Sequence, residues 1–438
     1  MLGLGASLAK GGASLLTYVK SNLKLYLDFK KNKSDTLKFP CDGSTYFSGS
    51  NQYIEIADNS DLDIAQGESL TFACWLNVQD TGANELIFSK RHSDIGYSIT
   101  WHSSEKPVFY IRDSAGNNYY SYTSDALSYN TWYHYAVVWN PSTMKATHYV
   151  NGIDAGRSFE NDATLVDASN SGVARIGIPA DSTSYDFKGY LANMGIWKRT
   201  LSAEEINSVM RKNYSQLGSV EKTSLVMWQS LDSASNGVVT PSSGETLGSE
   251  KIGDSSFEDA SYWGTGFGNG GVDVNTTTAG KLTVANAHET RLYKDSILET
   301  NKLYRLDFVV DSYVSGRIRG LSGFMEAFTP TVGTNTRYFV SNSVTFTIHF
   351  DKWGAGGEAN AYMTMTDISI KEVTSNTGFI TGATTTTSVY GGNAPVLPRA
   401  VDVAREGEAE KIGNGSASFT ASNTDYIVTA SNIGLDGG

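Results

Sequence analysis

The apolar residues of this chain come in short, strand-length runs, each closed by a turn signal. QYIEI (52–56), LTFACWLNV (70–78), GYSITW (96–101), PVFYIRD (107–113), WYHYAVVWN (132–140) and ATHYVNG (146–152) follow one another, with turns such as NPST and VNGID between them. Side chains of a strand point alternately to opposite faces, so such runs bury their apolar face only against a second layer. Many of them in close succession predict a sandwich or jelly roll, and the fold class is all-β. TLSAEEINSVMRK (200–212) departs from the pattern. Ser202 followed by Glu205 at the third position is a capping box and predicts one short helix.

A second feature is a restatement. DGSTYFSGSNQYIEI (42–56) returns near the C-terminus as NGSASFTASNTDYIVT (414–429), with Phe47 matching Phe419, Asn51 matching Asn423 and Tyr53 matching Tyr426. One strand cannot bury its apolar face alone, so the chain reads as a modular β array. The expectation is that the polypeptide continues past Gly438, or that the tail, with Phe419, Tyr426 and Val428, pairs with another chain.

Composition narrows the class. With 438 residues the chain has room for two to three domains. Its 44 Gly, 24 Tyr and 8 Trp and its 18% charged residues exclude a disordered polymer and a helical bundle. The net charge of -12 has no basic stripe against it, which argues against nucleic acid as a partner. No window reaches membrane-spanning length, so no membrane insertion is expected. Cys41 and Cys74 lie in apolar strand contexts and read as buried free thiols. MLGLGASLAKGGASLL lacks a basic n-region, and Lys10, Gly11 and Gly12 interrupt its apolar run. Surface-type modules without an export signal point to a virion protein assembled in a host cytoplasm; the alternative is an extracellular protein.

At this point the residues resemble a known family. Residues 22–214 are similar to laminin-G-like, concanavalin A-like jelly rolls. The likeness is carried by DGSTYFSGSNQYIEIADNSDLDI, LTFACWLNV, LSYNTWYHYAVVWN, HYVNGIDAG, ARIGI and the closing FKGYLANMGIWKRTLSAEEI. The likeness implies two packed antiparallel sheets over 22–217, after a lead segment at 1–21. LVMWQSLD (225–232) echoes LKLYLDF (23–29), which makes 218–244 the first strand and linker of a second such unit, resumed at 374–438. Between them, residues 245–373 resemble carbohydrate-binding-module sandwiches: a Gly-Ser-Glu strand, Phe257 and Glu258 before Trp263, and a closing DISIKEV strand. This block reads as a β-sandwich inserted in the second unit. The glycine-rich opening resembles those of virion structural proteins in marine tailed phages.

These resemblances imply a non-enzymatic virion protein, a head decoration, fibre or tail appendage, that binds host or environmental glycans. Its expected partners are other capsid or tail proteins, host-surface glycans and further copies of itself. The alternative is a secreted bacterial polysaccharide-binding or hydrolase-associated protein. A glycosidase needs two positioned carboxylates, and no Glu-x-Asp-x-x-Glu strand supplies them. Sugar recognition uses aromatic faces with polar neighbours. Trp101, Tyr119, Tyr120 and Tyr122 are candidates in the first module, and Tyr293 and Trp353 in the second. Family members often hold Ca²⁺ through aspartates; Asp58, Asp61 and Asp63 in DNSDLD are the candidates here, although Leu191, Ala192 and Asn193 stand where the family carries acidic residues.

Overall fold

The computed structural model describes residues 40–386, apart from 42, 161–163, 181–183, 236–237, 267, 278, 321–324, 352–359 and 382. The LKLYLDF segment at 23–29, Trp353 and the repeat at 414–429 lie outside the described residues. The chain is all-β, as two sandwiches of antiparallel sheets.

The first sandwich has a back and a front sheet. The back sheet runs Ile153–Asp154, Lys145–Val150, Trp132–Asn140, Leu70–Val78, Lys188–Trp197, Ser44–Ser48 and Thr384–Thr386. The front sheet runs Phe159–Glu160, Asn118–Tyr122, Lys106–Arg112, Ile95–His102, Glu85–His92, Ala174–Ile176, Tyr53–Ile56, Gly378–Thr381 and Val238–Val239. Leu70–Val78 shows how the pattern works. Leu70, Phe72, Cys74, Leu76 and Val78 enter the core between the sheets. Ala73 faces the other way, into a smaller cluster on the outside of the back sheet. The one described α-helix, Ala203–Val209, closes this outer cluster with Ile206 and Val209 against Ala136, Val138, Trp197 and Trp228. Ser202 and Glu205 form the expected capping box, and Arg199 grips Glu205 through two nitrogens at 2.9 and 2.8 Å. The helix packs on a sheet face, since both sides of Leu70–Val78 are apolar enough to need cover. Trp75, Trp132, Val137 and Trp197 are all buried, as are Cys41 and Cys74.

The described residues assigned above to a second laminin-G-like unit pair with the first sandwich instead. Leu225–Gln229 pairs with Lys188–Trp197, and Met227, Leu231 and Val239 fill the first core. Gly378–Thr381 pairs with Tyr53–Ile56. Asn376 ties these returns together, its amide donating to Val226 O at 2.9 Å and accepting from Asn59 at 3.0 Å. The physical reason is that unpaired strand edges of the first sandwich need backbone partners, and these apolar segments supply them along with side chains for its core.

The second sandwich joins a large sheet (Asn269–Val274, Leu282–His288, Ala361–Val373, Leu303–Ser315, Gly333–Val340, with Leu247–Glu250 also on Ala361–Val373) to a small one. The small sheet runs Gly264–Gly266, Thr290–Lys294, Phe346–Asp351 and Arg317–Gly320. Trp263 packs against Phe257 and donates to Asp254 at 3.0 Å. The module's ends meet, with Leu247 paired to Val373. Just outside them, Val238–Val239 pairs with Gly378–Thr381 in the front sheet of the first sandwich.

Candidate functional site

The outer face of the front sheet is where alternation leaves polar and aromatic side chains uncovered. On Ile95–His102, Tyr97, Ile99 and Trp101 fill the core, so Ser98, Thr100 and His102 face out. On Lys106–Arg112 the inward residues are Phe109 and Ile111, which turns Tyr110 outward; on Asn118–Tyr122, Tyr119 goes in and Tyr120 and Tyr122 come out. Together with Arg91 they line a groove of about 640 Å³.

Its electrostatics start from one tight turn. Ser93 and Asp94 join Glu85–His92 to Ile95–His102 with φ of 49° and 70°, the double positive φ of a type I′ hairpin. That turn brings Asp94 to Arg91 at 2.9 Å and to Arg112 at 3.3 Å. The Arg91 guanidinium then lies 4.8 Å above the Tyr110 ring. At the other end His102 meets Tyr122 edge-on at 5.1 Å and bonds Ser104 Oγ at 2.8 Å. Tyr120 and Tyr122 stand 6.2 Å apart at 74°, and partial burial followed by the neighbouring Tyr120 pushes the Tyr122 phenol up. The groove therefore offers ring faces, hydroxyls, an imidazole and a guanidinium. Among the described lining residues, Asp94 is the one carboxylate, and two arginines hold it.

The sequence candidates separate here. Tyr120 and Tyr122 lie on the groove. Trp101 and Tyr119 are fully buried and are corrected to core residues: Tyr119 packs 5.1 Å from Trp139 and accepts the Ala146 N–H at 3.0 Å. The single-residue offset between neighbours on one strand decides this, since it sends them to opposite faces. Tyr293 belongs to the other sandwich and is stacked on by Arg291 at 4.6 Å. Arg91, Asp94, Ser98 and Tyr110 are groove residues that the sequence reading missed. The alternation in GYSITW and PVFYIRD was the signal that could have found them.

The calcium candidates have another partner. Asp58 and Asp63 do converge, each 3.0 Å from the ammonium of Lys90, which has no exposed surface. Asn170 O at 2.8 Å, Asn170 Oδ1 at 3.2 Å and Gly172 O at 2.8 Å complete the cage. The cation at its centre is a lysine of the chain, so these residues do not fit a Ca²⁺ ion. Asp61 points away, exposed in the short turn Ser60–Leu62 that Asn59 caps. No group of three or more His, Cys, Asp or Glu among the described residues is placed to hold a metal.

Two buried groups resemble catalytic machinery without its access. Ser121 Oγ and Tyr135 OH each lie 2.7 Å from a ring nitrogen of His148, but all three are fully buried between the sheets. Burial, then the charge of Arg157, pushes that imidazole down to about 3. Burial raises Glu85 to about 7, against hydrogen bonds from Lys188 N–H and Thr81 Oγ1, both at 2.8 Å.

Residues 48–207 match the family model described as the concanavalin A-like lectin/glucanases superfamily, over the stretch that resembles laminin-G-like domains. The match covers less than half of the chain. Comparison with curated proteins finds no match. Among solved structures, a Bacteroides ovatus protein described as carbohydrate-binding is 19% identical with a TM-score of 0.37, over 47% of this chain and 56% of its own. The chain thus spans under two thirds of that relative's length. The SAP-like pentraxin of Limulus polyphemus is 17% identical with a TM-score of 0.31, over 42% of this chain and 84% of that one. The CBM40 of the Ruminococcus gnavus IT-sialidase, solved with α2,3-sialyllactose, is 14% identical with a TM-score of 0.30, over 38% and 96%. No described helix is long and apolar enough to cross a membrane.

Proposed function

We propose that this chain is a non-enzymatic display protein whose laminin-G-like sandwich binds glycans in the front-sheet groove. The observation that carries the reading is the outward set of Tyr110, Tyr120 and Tyr122 beside Arg91 and His102. Ring faces stack on the apolar side of a pyranose, and the guanidinium and imidazole bond its hydroxyls. A single, arginine-held carboxylate does not supply the acid and base pair of a glycosidase. The groove is open and shallow, so useful strength comes from many copies on one particle.

The particle in this reading is the virion of a tailed bacteriophage, with the chain as head decoration, fibre or tail appendage. Support comes from the opening segment's resemblance to such proteins and from the module motif restated at 414–429. The second sandwich is read as a module inserted in the first, because its ends pair with each other and the strands flanking it pair in one sheet.

A glycan array probed with the full chain tests the binding. Bound glycans should be lost on Tyr120→Ala with Tyr122→Ala while the melting temperature holds. Absence of any bound glycan, or binding indifferent to both substitutions, would sink the reading. Mass spectrometry of purified virions tests the particle: peptides of this chain should be present at structural abundance.

A further inference from the structure

The small sheet of the second sandwich presents a second face, made by the same alternation but of different chemistry. Leu292, Ile318, Phe346, Ile348 and Phe350 fill the core of this sandwich. Their strand neighbours Arg291, Tyr293, Arg317, Arg319, His349 and Asp351 therefore lie on the outer face. The register sets them in rows across three strands: Arg291 opposite His349, His349 opposite Arg319, and Asp351 opposite Arg317. With strands spaced about 4.8 Å apart, Arg291 and Arg319 stand about 10 Å from each other at their backbones.

Charge on this face is unbalanced. Arg319 lies 3.2 Å and Arg317 3.8 Å from Asp351, and His288 bonds the other oxygen of that carboxylate at 3.0 Å. Glu289, 3.8 Å from Arg319, is the second carboxylate. Among the described residues, three guanidiniums thus share this face with two carboxylates, on a chain whose net charge is -12. The side chains of Arg317 and Arg319 remain 30% and 28% exposed, so their outer donors reach solvent. His349 sits between Arg291 and Arg319, buried, and burial followed by the charges of Arg319 and Arg291 pushes its imidazole down. Gly266, at φ +132, pairs with Arg291 on the edge strand, and a Cβ there would meet nothing within 4 Å among the described residues. Next to it, Gly264 lets the Tyr293 ring lie across the edge strand, since a Cβ would come 2.2 Å from that ring.

We propose that this face is a second binding site, taking the carboxylate or sulfate groups of an anionic polysaccharide on Arg291 and Arg319. Planar guanidiniums bond both groups through paired donors. The site is independent of the groove, which lies on the other sandwich.

The test titrates the full chain with polygalacturonate, with dextran sulfate and with neutral dextran at low salt. Binding of either anionic probe is expected, and which one binds identifies the group recognised. Replacing both arginines, Arg291→Gln with Arg319→Gln, should weaken that binding roughly tenfold or more, the loss of a charge-assisted contact. Tyr120→Ala should leave it unchanged. Arg291→Gln alone leaves the Arg319–Asp351 pair in place and gives a readout should the double variant unfold; it should weaken binding severalfold. The proposal is overturned if neither anionic probe binds, if neutral dextran binds as well, or if Arg291→Gln binds as the parent does. A single-stranded DNA oligomer that competes as effectively as the polysaccharide overturns it too.

Discussion

Lys90 Nζ lies 3.0 Å from Asp63 Oδ1 with no part of the lysine side chain and 11% of the aspartate side chain exposed. Asp58 and three oxygens from Asn170 and Gly172 surround the same ammonium. A buried charge left without its partner is strongly destabilising. Lys90→Met should therefore lower stability by about 3–5 kcal/mol in denaturant titrations. The vacated oxygens would face one another, so added Ca²⁺ should restore part of that loss in Lys90→Ala and none in the parent. A Lys90 variant as stable as the parent would refute the cage as a structural element.

The buried imidazoles predict acid sensitivity. Burial holds both His134 and His148 down to about 3, against an ordinary value of 6.5. The unfolded chain takes up these protons first, so stability falls as pH drops through 6.5 and the loss levels off near 3. His148→Gln should be less stable at neutral pH by about 1–3 kcal/mol, having broken the bonds to Ser121 and Tyr135. Its stability curve should nevertheless be flatter than the parent's below pH 6.5. Parallel curves would show that His148 does not titrate this way.

Glu85 predicts the opposite trend. Burial raises its carboxyl from 4.5 to about 7. The folded state holds this proton more tightly, so the group's contribution is full below 4.5 and is lost as pH rises through about 7. Glu85→Gln keeps the shape without the charge. Relative to the parent it should gain stability above neutral pH and show little change in acid, measured by thermal melts across pH.

Core and groove aromatics should separate by the property each controls. Trp101→Ala should lose about 3–5 kcal/mol of stability, as large-to-small core changes do. Tyr120→Ala should stay within about 0.5 kcal/mol and lose glycan binding instead. Paired melting and glycan-array measurements on the two variants check this, and a large stability loss in Tyr120→Ala would move that ring into the core.

Local physics made several elements legible in the chain itself. Period-two alternation and Trp-rich strands determine an all-β sandwich, because only a second sheet can cover that many apolar faces. Ser202 and Glu205 mark the helix start through hydrogen bonds that lie within one turn. The polar loop DNSDLD read as a Ca²⁺ site of Asp58, Asp61 and Asp63, whereas Asp58 and Asp63 close on Lys90 and Asp61 does not join them.

What converges with them was not legible, because Lys90 reaches Asp58 across 32 positions of sequence and Asn170 lies 80 further along. The same holds for the strands after residue 217. LVMWQSLD reads as the opening of a new unit by its own pattern, yet the edge left by Lys188–Trp197 claims it. Which of Tyr119 and Tyr120 faces solvent depends on which side of the strand the other sheet occupies, a fact carried by partners far away in sequence. The chain by itself determined strands and helix, both of them local or periodic. Tertiary structure alone decided the groove, the guanidinium row and the lysine cage, because each is built from residues that only strand pairing brings together.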